Sequence, residues 1–317
     1  MQPGLPLKFQ KRKRRCRTET QQGAKEVLTA ERTYKLESGP PPLPWGRYSE
    51  LVQLDWRNLL DSSDHHGEAV FQKFLETHPC MVPGGQSMSG PSGHSAFPAV
   101  LITQPSLPGF SEHIPDFLWV ATDSLHIYAV LIEIESPKKK MFTKSGQPTA
   151  EFTQAQTQIT HWKSWFRDAA NQRLFCDHYL MDGLPRWRTF VPQYVLIYGR
   201  RSEIEGNTRL NGLRANLSRD GEYYMTFDRL HPIKDHDQYM TVKLRNGRYE
   251  AVSMPATLEM GPLWASKRSR IEGKDLVVDR TLYMTDERKE FVKSRLGYWD
   301  KWAADDRNGI ISLGDRE

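Results

Sequence analysis

Hydrophobic residues near the start of the folded region recur at helical spacing in two short segments. A first amphipathic helix is predicted to end near Asp61, and a second spans residues 66–79 and ends at Pro79. The apolar positions of the first helix are Leu51, Leu54, Trp56, Leu59 and Leu60. Those of the second are Val70, Phe71, Phe74 and Leu75. The pattern therefore predicts two helices, each with one apolar face.

Apolar runs that are typical of buried β-strands follow the two helices. The predicted strands cover residues 99–107, 114–122, 125–135, 191–200 and 222–227. Asp123-Ser124 separates the second strand from the third and predicts a two-residue hairpin turn. Helices are predicted over residues 148–170 and 207–220, and the first carries the stripe Phe152, Ala155, Ile159, Trp162, Phe166. This order predicts an α/β fold in which helices flank a mixed sheet.

The pattern changes after Pro232. Residues 239–252 predict a β-hairpin around Asn246-Gly247, in a register that places Lys243 opposite Glu250. Residues 285–306 predict an amphipathic helix whose inward positions are Phe291, Val292, Leu296, Trp299 and Ala303. We therefore expect an accessory or assembly element in this part of the chain.

Composition shifts divide the chain into three predicted regions. Residues 1–47 form a basic N-terminal tail and a proline-rich linker, residues 48–230 form the main domain, and residues 231–317 form the accessory element. The net charge is +5, and the run KRKRRCR at 11–17 supplies six positive charges by itself. That run could neutralise phosphates, or it could be a solvated tail.

Cysteine usage and hydropathy indicate a cytoplasmic protein. No apolar run approaches the ~20 residues that span a bilayer, so we expect no membrane segment. No apolar segment follows the basic N-terminus, so a secretory signal is not expected. Cys16, Cys80 and Cys176 are far apart and form no CxxC pair. This spacing argues against a zinc site and a disulfide framework, and it fits a reducing compartment.

Three acidic residues are predicted to share one face of the hairpin formed by the second and third strands. With the two-residue turn, paired residue numbers sum to 247, so Asp116 lies opposite Leu131 and near Glu133. Glu135 continues the same face, because residues two apart in a strand point the same way. Mg²⁺ and Mn²⁺ prefer carboxylate oxygens, and Mg²⁺ is often held by one or two carboxylates plus a substrate phosphate. The alternative is that these are strand-end carboxylates in solvent.

The apolar context of the acids favours a metal site, because an unpaired charge inside an apolar strand is costly. Asp116 is followed by FLWV, and Glu133 is preceded by VLI. Pro115-Asp116 with a later Glu-x-Glu resembles the skeleton of the PD-(D/E)xK nuclease superfamily. In such sites a metal polarises a phosphoryl oxygen and lowers the pKa of the attacking water.

Longer segments resemble the nuclease domain of the Shedu anti-phage defence proteins over roughly residues 48–230. They are EAVFQKFLETHP (68–79), IPDFLWV (114–120), LIEIESPKKKMFTKSGQPTAEFTQAQTQITHW (131–162) and YYMTFDRL (223–230). The most distinctive part is Phe-Thr-Lys-Ser-Gly followed by Glu-x-x-x-Ala-x-x-Gln. The resemblance implies a PD-(D/E)xK nuclease-like fold, a metal-dependent DNA endonuclease or nickase, and a role in defence.

The resemblance also implies roles for individual residues. Asp116 and Glu133 would bind Mg²⁺ or Mn²⁺, and Glu68 resembles the helix glutamate that supplements such sites. Gln158 with Trp162 resembles the Gln-x-x-x-aromatic element that lines the site. Glu151 and Gln154 share a helical strip with Gln158, which indicates either a site-lining face or an ordinary polar surface.

Position 135 departs from the superfamily motif, which usually ends in lysine. Glu135 could act as a base or bind a second cation. Alternatively, a lysine could reach the site from nearby, with Lys138 as the first candidate and Lys144 as the second. A degenerate site that does not cleave DNA is the remaining possibility.

The partners that follow from this interpretation are DNA, contacted through its phosphate backbone, and further copies of the chain. Homo-oligomers, either dimers or tetramers, are implied by the resemblance alone. The alternative function is a catalytically degenerate protein that acts as a nucleic-acid-binding sensor or as an oligomeric assembly module.

Overall fold

One mixed sheet organises the part of the chain that the structure describes. The computed structural model describes residues 32–85, 94–109, 114–184, 187–217, 219–305 and 311–317, and residues 32–317 cluster as one compact unit. The basic run at 11–17 lies outside the described residues. Within them there are eight strands: β1 (Val100–Thr103), β2 (Phe117–Thr122), β3 (His126–Ile134), β4 (Thr189–Ile197), β5 (Glu222–Met225), β6 (Met240–Arg245), β7 (Arg248–Ser253) and β8 (Ile271–Glu272).

Eight α-helices accompany the strands within the same described ranges. They are α1 (Trp45–Asp61), α2 (Glu68–Thr77), α3 (Ala150–Phe166), α4 (Ala169–His178), α5 (Thr208–Leu217), α6 (Pro262–Arg268), α7 (Lys274–Val278) and α8 (Asp286–Asp305). The structure therefore confirms the α/β class. None of these helices combines the length and the apolar character that a membrane crossing needs, a finding limited to the described residues.

The strand order is β5-β4-β3-β2-β1-β6-β7-β8. Strands β3, β4 and β5 are parallel, whereas β2 is antiparallel to both β1 and β3. The carboxyl ends of β3, β4 and β5 therefore lie along one edge of the sheet, and β2 begins at that edge. Every residue of β2 is buried, as are the last six of β3, because helices cover the sheet. This edge is where the acidic residues lie.

The helix α3 confirms the predicted apolar stripe. Its members Phe152, Ala155, Ile159, Trp162 and Phe166 are all buried. Thr149 caps the helix by accepting a hydrogen bond from the backbone N–H of Phe152 at 3.2 Å. The helix ends at Phe166, earlier than predicted, because Asp168 caps the separate helix α4 through the N–H of Ala170.

The apolar faces predicted for α1 and α2 were wrong at one residue each. Leu54 is 55% exposed and Val70 is 41% exposed. In α1 the buried stripe is Tyr48, Val52, Trp56 and Leu60, spaced four residues apart. Leu54 lies two residues from both Val52 and Trp56, which places it on the opposite side of the helix from this stripe.

The turn between β2 and β3 is longer than predicted. Thr122 pairs with Ile127, not with Leu125, so paired residue numbers sum to 249. The cause is the side chain of Asp123, which accepts hydrogen bonds from the backbone N–H groups of Leu125 and His126, both at 2.7 Å. The register has moved by two residues, so each side chain keeps its predicted face. When the pairing of Phe117 with Ile132 is continued by one residue, Asp116 lies opposite Glu133 and not opposite Leu131.

The C-terminal hairpin continues the central sheet. Strand β6 pairs with β1 in parallel, and Lys243 pairs with Glu250 as predicted. In α8, the predicted inward positions Val292, Leu296, Trp299 and Ala303 are buried. Phe291 is half-buried. The predicted boundary near residue 230 thus falls between strands of one sheet, and an assembly role for residues 231–317 stays a prediction.

Candidate active site

Glu133 is the most constrained acid of the site. It lies near the end of β3 and is only 8% exposed. The amide nitrogen Nε2 of Gln158, on α3, donates a hydrogen bond to Glu133 Oε1 at 2.7 Å. The other oxygen, Oε2, is buried and has no hydrogen-bond partner among the described residues. Burial, followed by the charges of Asp116 and Glu135, raises the pKa of Glu133 well above its ordinary value.

Asp116 lies at the start of β2, beside the end of β3. Its backbone N–H donates to the carbonyl of Ile132 at 3.0 Å, and its Oδ2 accepts from the N–H of Ile134 at 2.8 Å. Burial raises the pKa of Asp116 to about 7, and the Ile134 hydrogen bond opposes this increase. Glu68, Glu135 and Glu76 raise the pKa further, so several acids affect the same carboxyl group.

Glu135 forms an ion pair with Lys139 at the same edge of the sheet. The Glu135 side chain is mostly buried, and its backbone N–H donates to Ile197 at 2.9 Å, which extends the β3–β4 pairing. Glu68, the first residue of α2, has a raised pKa because of burial and then the charge of Glu135, which Lys139 partly offsets. Glu68 therefore interacts electrostatically with the Glu135–Lys139 pair.

The lysine that reaches the acids is Lys139, whereas the sequence favoured Lys138 and then Lys144. Both Lys138 and Lys144 are exposed. Ser136 forms a turn after β3: its Oγ accepts from the N–H of Lys138 at 3.2 Å, and its carbonyl accepts from the N–H of Lys139 at 3.1 Å. The turn reverses the chain, so the side chain of residue 139 meets that of residue 135.

The predicted polar strip of α3 is only partly directed at the acids. Gln158 contacts Glu133, whereas Glu151 and Gln154 are exposed. Trp162 is fully buried and belongs to the hydrophobic core. The strip therefore contributes one residue to the site.

Two residues near the site were missed by sequence reasoning. Glu76, on α2, accepts a hydrogen bond from Thr103 at 2.7 Å and raises the pKa of Asp116. Gly199 follows β4 with φ +64°, and a Cβ there would lie 2.7 Å from the carbonyl oxygen of Lys139. Gly199 could have been suggested only by its position near the end of the predicted strand at 191–200. No local sequence pattern distinguishes Glu76 from other acidic residues on helices.

The donor atoms fit a metal that the protein holds with few ligands. Among the described residues, no group of three His, Cys, Asp or Glu side chains is arranged to hold a metal ion. Asp116 and Glu133 remain as a pair, supported by the orphaned Oε2, and Mg²⁺ commonly takes one or two carboxylates and completes its shell with water and phosphate. The residues present therefore fit Mg²⁺ or Mn²⁺ better than a metal that needs a full protein cage.

Comparison with protein families identifies the domain that carries these residues. None of the curated proteins compared with the chain matches it. The family model described as "Shedu protein SduA, C-terminal" matches residues 65–231, which is just over half of the 317 residues and contains all the acids discussed above. The chain therefore belongs to the Shedu family.

Proposed function

We propose that this protein is a divalent-metal-dependent DNA endonuclease or nickase with a PD-(D/E)xK-like site, acting in anti-phage defence. Membership in the Shedu family supports the defence role. The observation that carries the chemistry is the buried Oε2 of Glu133, which lacks a hydrogen-bond partner among the described residues and lies in a group of acids. A buried carboxylate of this kind is stable as an anion only if a cation compensates its charge.

Asp116 and Glu133 would hold Mg²⁺ or Mn²⁺. When bound, the metal polarises a phosphoryl oxygen and lowers the pKa of water. Gln158 holds one oxygen of Glu133 and so leaves the other available as a ligand. The Ile134 N–H orients Asp116 in the same way. Glu68 acts through its charge at the rim of the site and is not needed as a ligand in this arrangement.

Lys139 has the role of the lysine that usually ends the PD-(D/E)xK motif. Its ammonium group lies beside Glu135, and it feels the charges of Glu135, Glu68 and Glu151, which raise its pKa against the effect of burial. A lysine that stays protonated can offset the negative charge that develops on a phosphate. Glu135 then positions Lys139, which explains why an acid occupies the place of the usual lysine.

The first prediction separates Lys139 from its neighbour. Lys139→Ala should lower the rate of DNA cleavage by about 100-fold, because one preorganised charge at a transition state contributes on the order of 10²–10³. Lys138→Ala is the matched control, since Lys138 is exposed, and it should stay within twofold of the wild type. Nicking rates on supercoiled plasmid measure both. Equal losses in the two variants would show that the assignment of Lys139 is wrong.

The second prediction tests the activity itself. Purified protein should convert supercoiled plasmid to nicked or linear product with Mg²⁺ or Mn²⁺ and should do nothing in a chelator. Asp116→Asn should remove the activity, because it takes away one of the two carboxylates that would hold the metal. Nicking at the wild-type rate by this variant would reject the site.

A second candidate function is a nucleic-acid-binding sensor that has lost the chemistry. The finding that favours it is that the described residues bring no three potential ligands together. DNA binding without cleavage in any divalent metal would support this candidate. We also propose a homo-oligomer, either a dimer or a tetramer, which light scattering of the purified chain would measure directly.

A further inference from the structure

An open pocket lined by arginines lies at the edge of the sheet where the acidic residues lie. It has a volume of about 520 Å³ and lies between the end of α1 and the segments that follow β4 and β5. The charged residues that line it are Arg57, Asp61, Arg200, Arg201, Asp228 and Arg229. The four arginines outnumber the two acids, so the pocket carries a positive charge.

One arginine of the pocket has a structural role. Arg200 donates from Nε to Asp228 at 2.9 Å and from a terminal nitrogen to the carbonyl of Leu60 at 2.8 Å. Asp228 also accepts from the backbone N–H of Arg201 at 2.6 Å. The charge of Asp228 is therefore compensated by Arg200, and it is not available to neutralise the other arginines.

Three exposed arginines line the pocket without an acidic partner in the described part of the chain, namely Arg57, Arg201 and Arg229. Of these, Arg201 and Arg229 lie in the segments that follow β4 and β5. Arg214, on α5, is half-buried, and burial followed by the charges of Arg229 and Arg201 lowers its pKa. Exposed guanidinium groups that share one pocket without acidic partners would be stabilised by an anion.

The pocket and the acidic site lie at the same edge of the sheet. Arg200 and Arg201 follow Gly199, which packs against the carbonyl of Lys139 so closely that a Cβ would lie 2.7 Å from it. The parallel strands β3, β4 and β5 all end at this edge. Because neighbouring strands lie about 4.8 Å apart, the end of β5 is on the order of 10 Å from the end of β3. This separation corresponds to roughly three nucleotides of a DNA strand along the helix axis.

We propose that Arg201 and Arg229 bind backbone phosphates of the DNA strand that occupies the acidic site, a subsite that rests on the proposed nuclease function. Exposed guanidinium groups form bidentate hydrogen bonds with phosphate, and such contacts do not depend on the DNA sequence. The pocket therefore orients the strand a few nucleotides from the scissile phosphate, and it acts on every DNA sequence alike.

The test measures binding of a fluorescent DNA duplex by the full chain in a chelator, where cleavage does not interfere. The double variant Arg201→Ala/Arg229→Ala should bind about 30-fold more weakly at physiological salt, since two lost phosphate contacts remove about 1.8 from the slope of log K against log salt. The variant Arg201→Lys/Arg229→Lys should keep most of the affinity and most of the slope. This rescue distinguishes a charge effect from damage to the fold.

A matched control is Arg248→Ala, on β7 toward the other end of the sheet. Arg248 is exposed, and its ion pair with Glu272 is also exposed, so this variant should bind like the wild type. Unchanged affinity and salt slope in the double alanine variant would overturn the proposal, as would a wild type that does not bind DNA.

The phosphate could also come from a free nucleotide, and the assay separates the two sources. If AMP or inorganic phosphate raises the melting temperature through Arg201 and Arg229 while DNA affinity does not depend on them, the site belongs to a small ligand and the proposal fails. Failure of the nuclease function is a distinct result. In that case the wild type cleaves nothing in any metal, yet DNA binding still depends on the two arginines.

Discussion

Glu133→Gln should abolish DNA cleavage and at the same time stabilise the metal-free protein at alkaline pH. The carboxylate of Glu133 is buried beside Asp116 and Glu135, and its Oε2 has no hydrogen-bond partner in the described structure. Glutamine has the same shape without the charge, and its carbonyl oxygen can still accept the hydrogen bond from Gln158. We expect a loss of activity of about 10³-fold, because a buried metal ligand is removed. The gain in stability should be roughly 1–3 kcal/mol, since a buried charge without a partner is destabilising by about that amount.

Two measurements on the same preparation check this result: plasmid nicking with Mn²⁺, and thermal unfolding in a chelator. Glu287→Gln is the control, because Glu287 is an exposed acid on α8 that has no part in the site. It should change neither quantity. A Glu133→Gln protein that unfolds at a lower temperature than the wild type would contradict the interpretation of Glu133 as a strained, uncompensated anion.

The metal-free wild type should lose stability as the pH rises toward neutrality, and Asp116→Asn should remove the part of this loss that comes from Asp116. The pKa of Asp116 is about 7 in the folded protein, above the ordinary value of 3.8. Since the folded state then binds the proton more tightly, the stabilisation is complete below the unfolded pKa and is lost as the pH rises through 7. The pKa difference of Asp116 between the folded and unfolded states corresponds to about 4 kcal/mol in the free energy of unfolding. About 3 kcal/mol of this stabilisation is lost between about pH 5 and pH 8.

Urea unfolding in a chelator at several pH values measures this loss directly. At the alkaline end, Mn²⁺ should restore stability to the wild type and not to Asp116→Asn, because the cation compensates the ionised carboxylates. Parallel pH profiles for the two proteins would show that Asp116 does not titrate as inferred. A stabilisation by Mn²⁺ that is equal in both would place the metal elsewhere.

Much of the fold could be predicted because local patterns agree with the tertiary structure. The stripe of α3 is buried at all five predicted positions, and the Asn246-Gly247 hairpin has the predicted register. Both depend on short-range geometry, namely helical periodicity and the backbone of a tight turn. The small elements α6, α7 and β8 were not predicted, since segments this short are defined mainly by what they pack against.

Strand alternation alone predicted which face of the sheet carries the acids, and it did not predict the register that brings them together. Side chains alternate between the two faces of a strand, and this alternation predicted that Asp116 and Glu133 share one face. The prediction is correct although the predicted register was wrong by two residues, because an even shift keeps each side chain on its face. The error itself came from Asp123, whose side chain lengthens the turn by bonding to two backbone N–H groups. Such a competition between side chain and backbone cannot be decided from residue types alone.

The amino-acid sequence by itself thus determined the class of fold, the strands that carry the acids and the face on which those acids lie, because these depend on periodic burial along single segments. Only the tertiary structure decided which lysine meets Glu135, and that Gln158 alone of the polar strip on α3 bonds to Glu133. It also decided that Arg201 and Arg229 line one pocket at the same edge of the sheet. Gln158 and Glu133 come from segments far apart in the chain, and so do Arg201 and Arg229. Lys139, in contrast, reaches Glu135 across four residues only because of the turn at Ser136. The geometry of these contacts depends on how several strands and loops pack together, and no single segment contains that information.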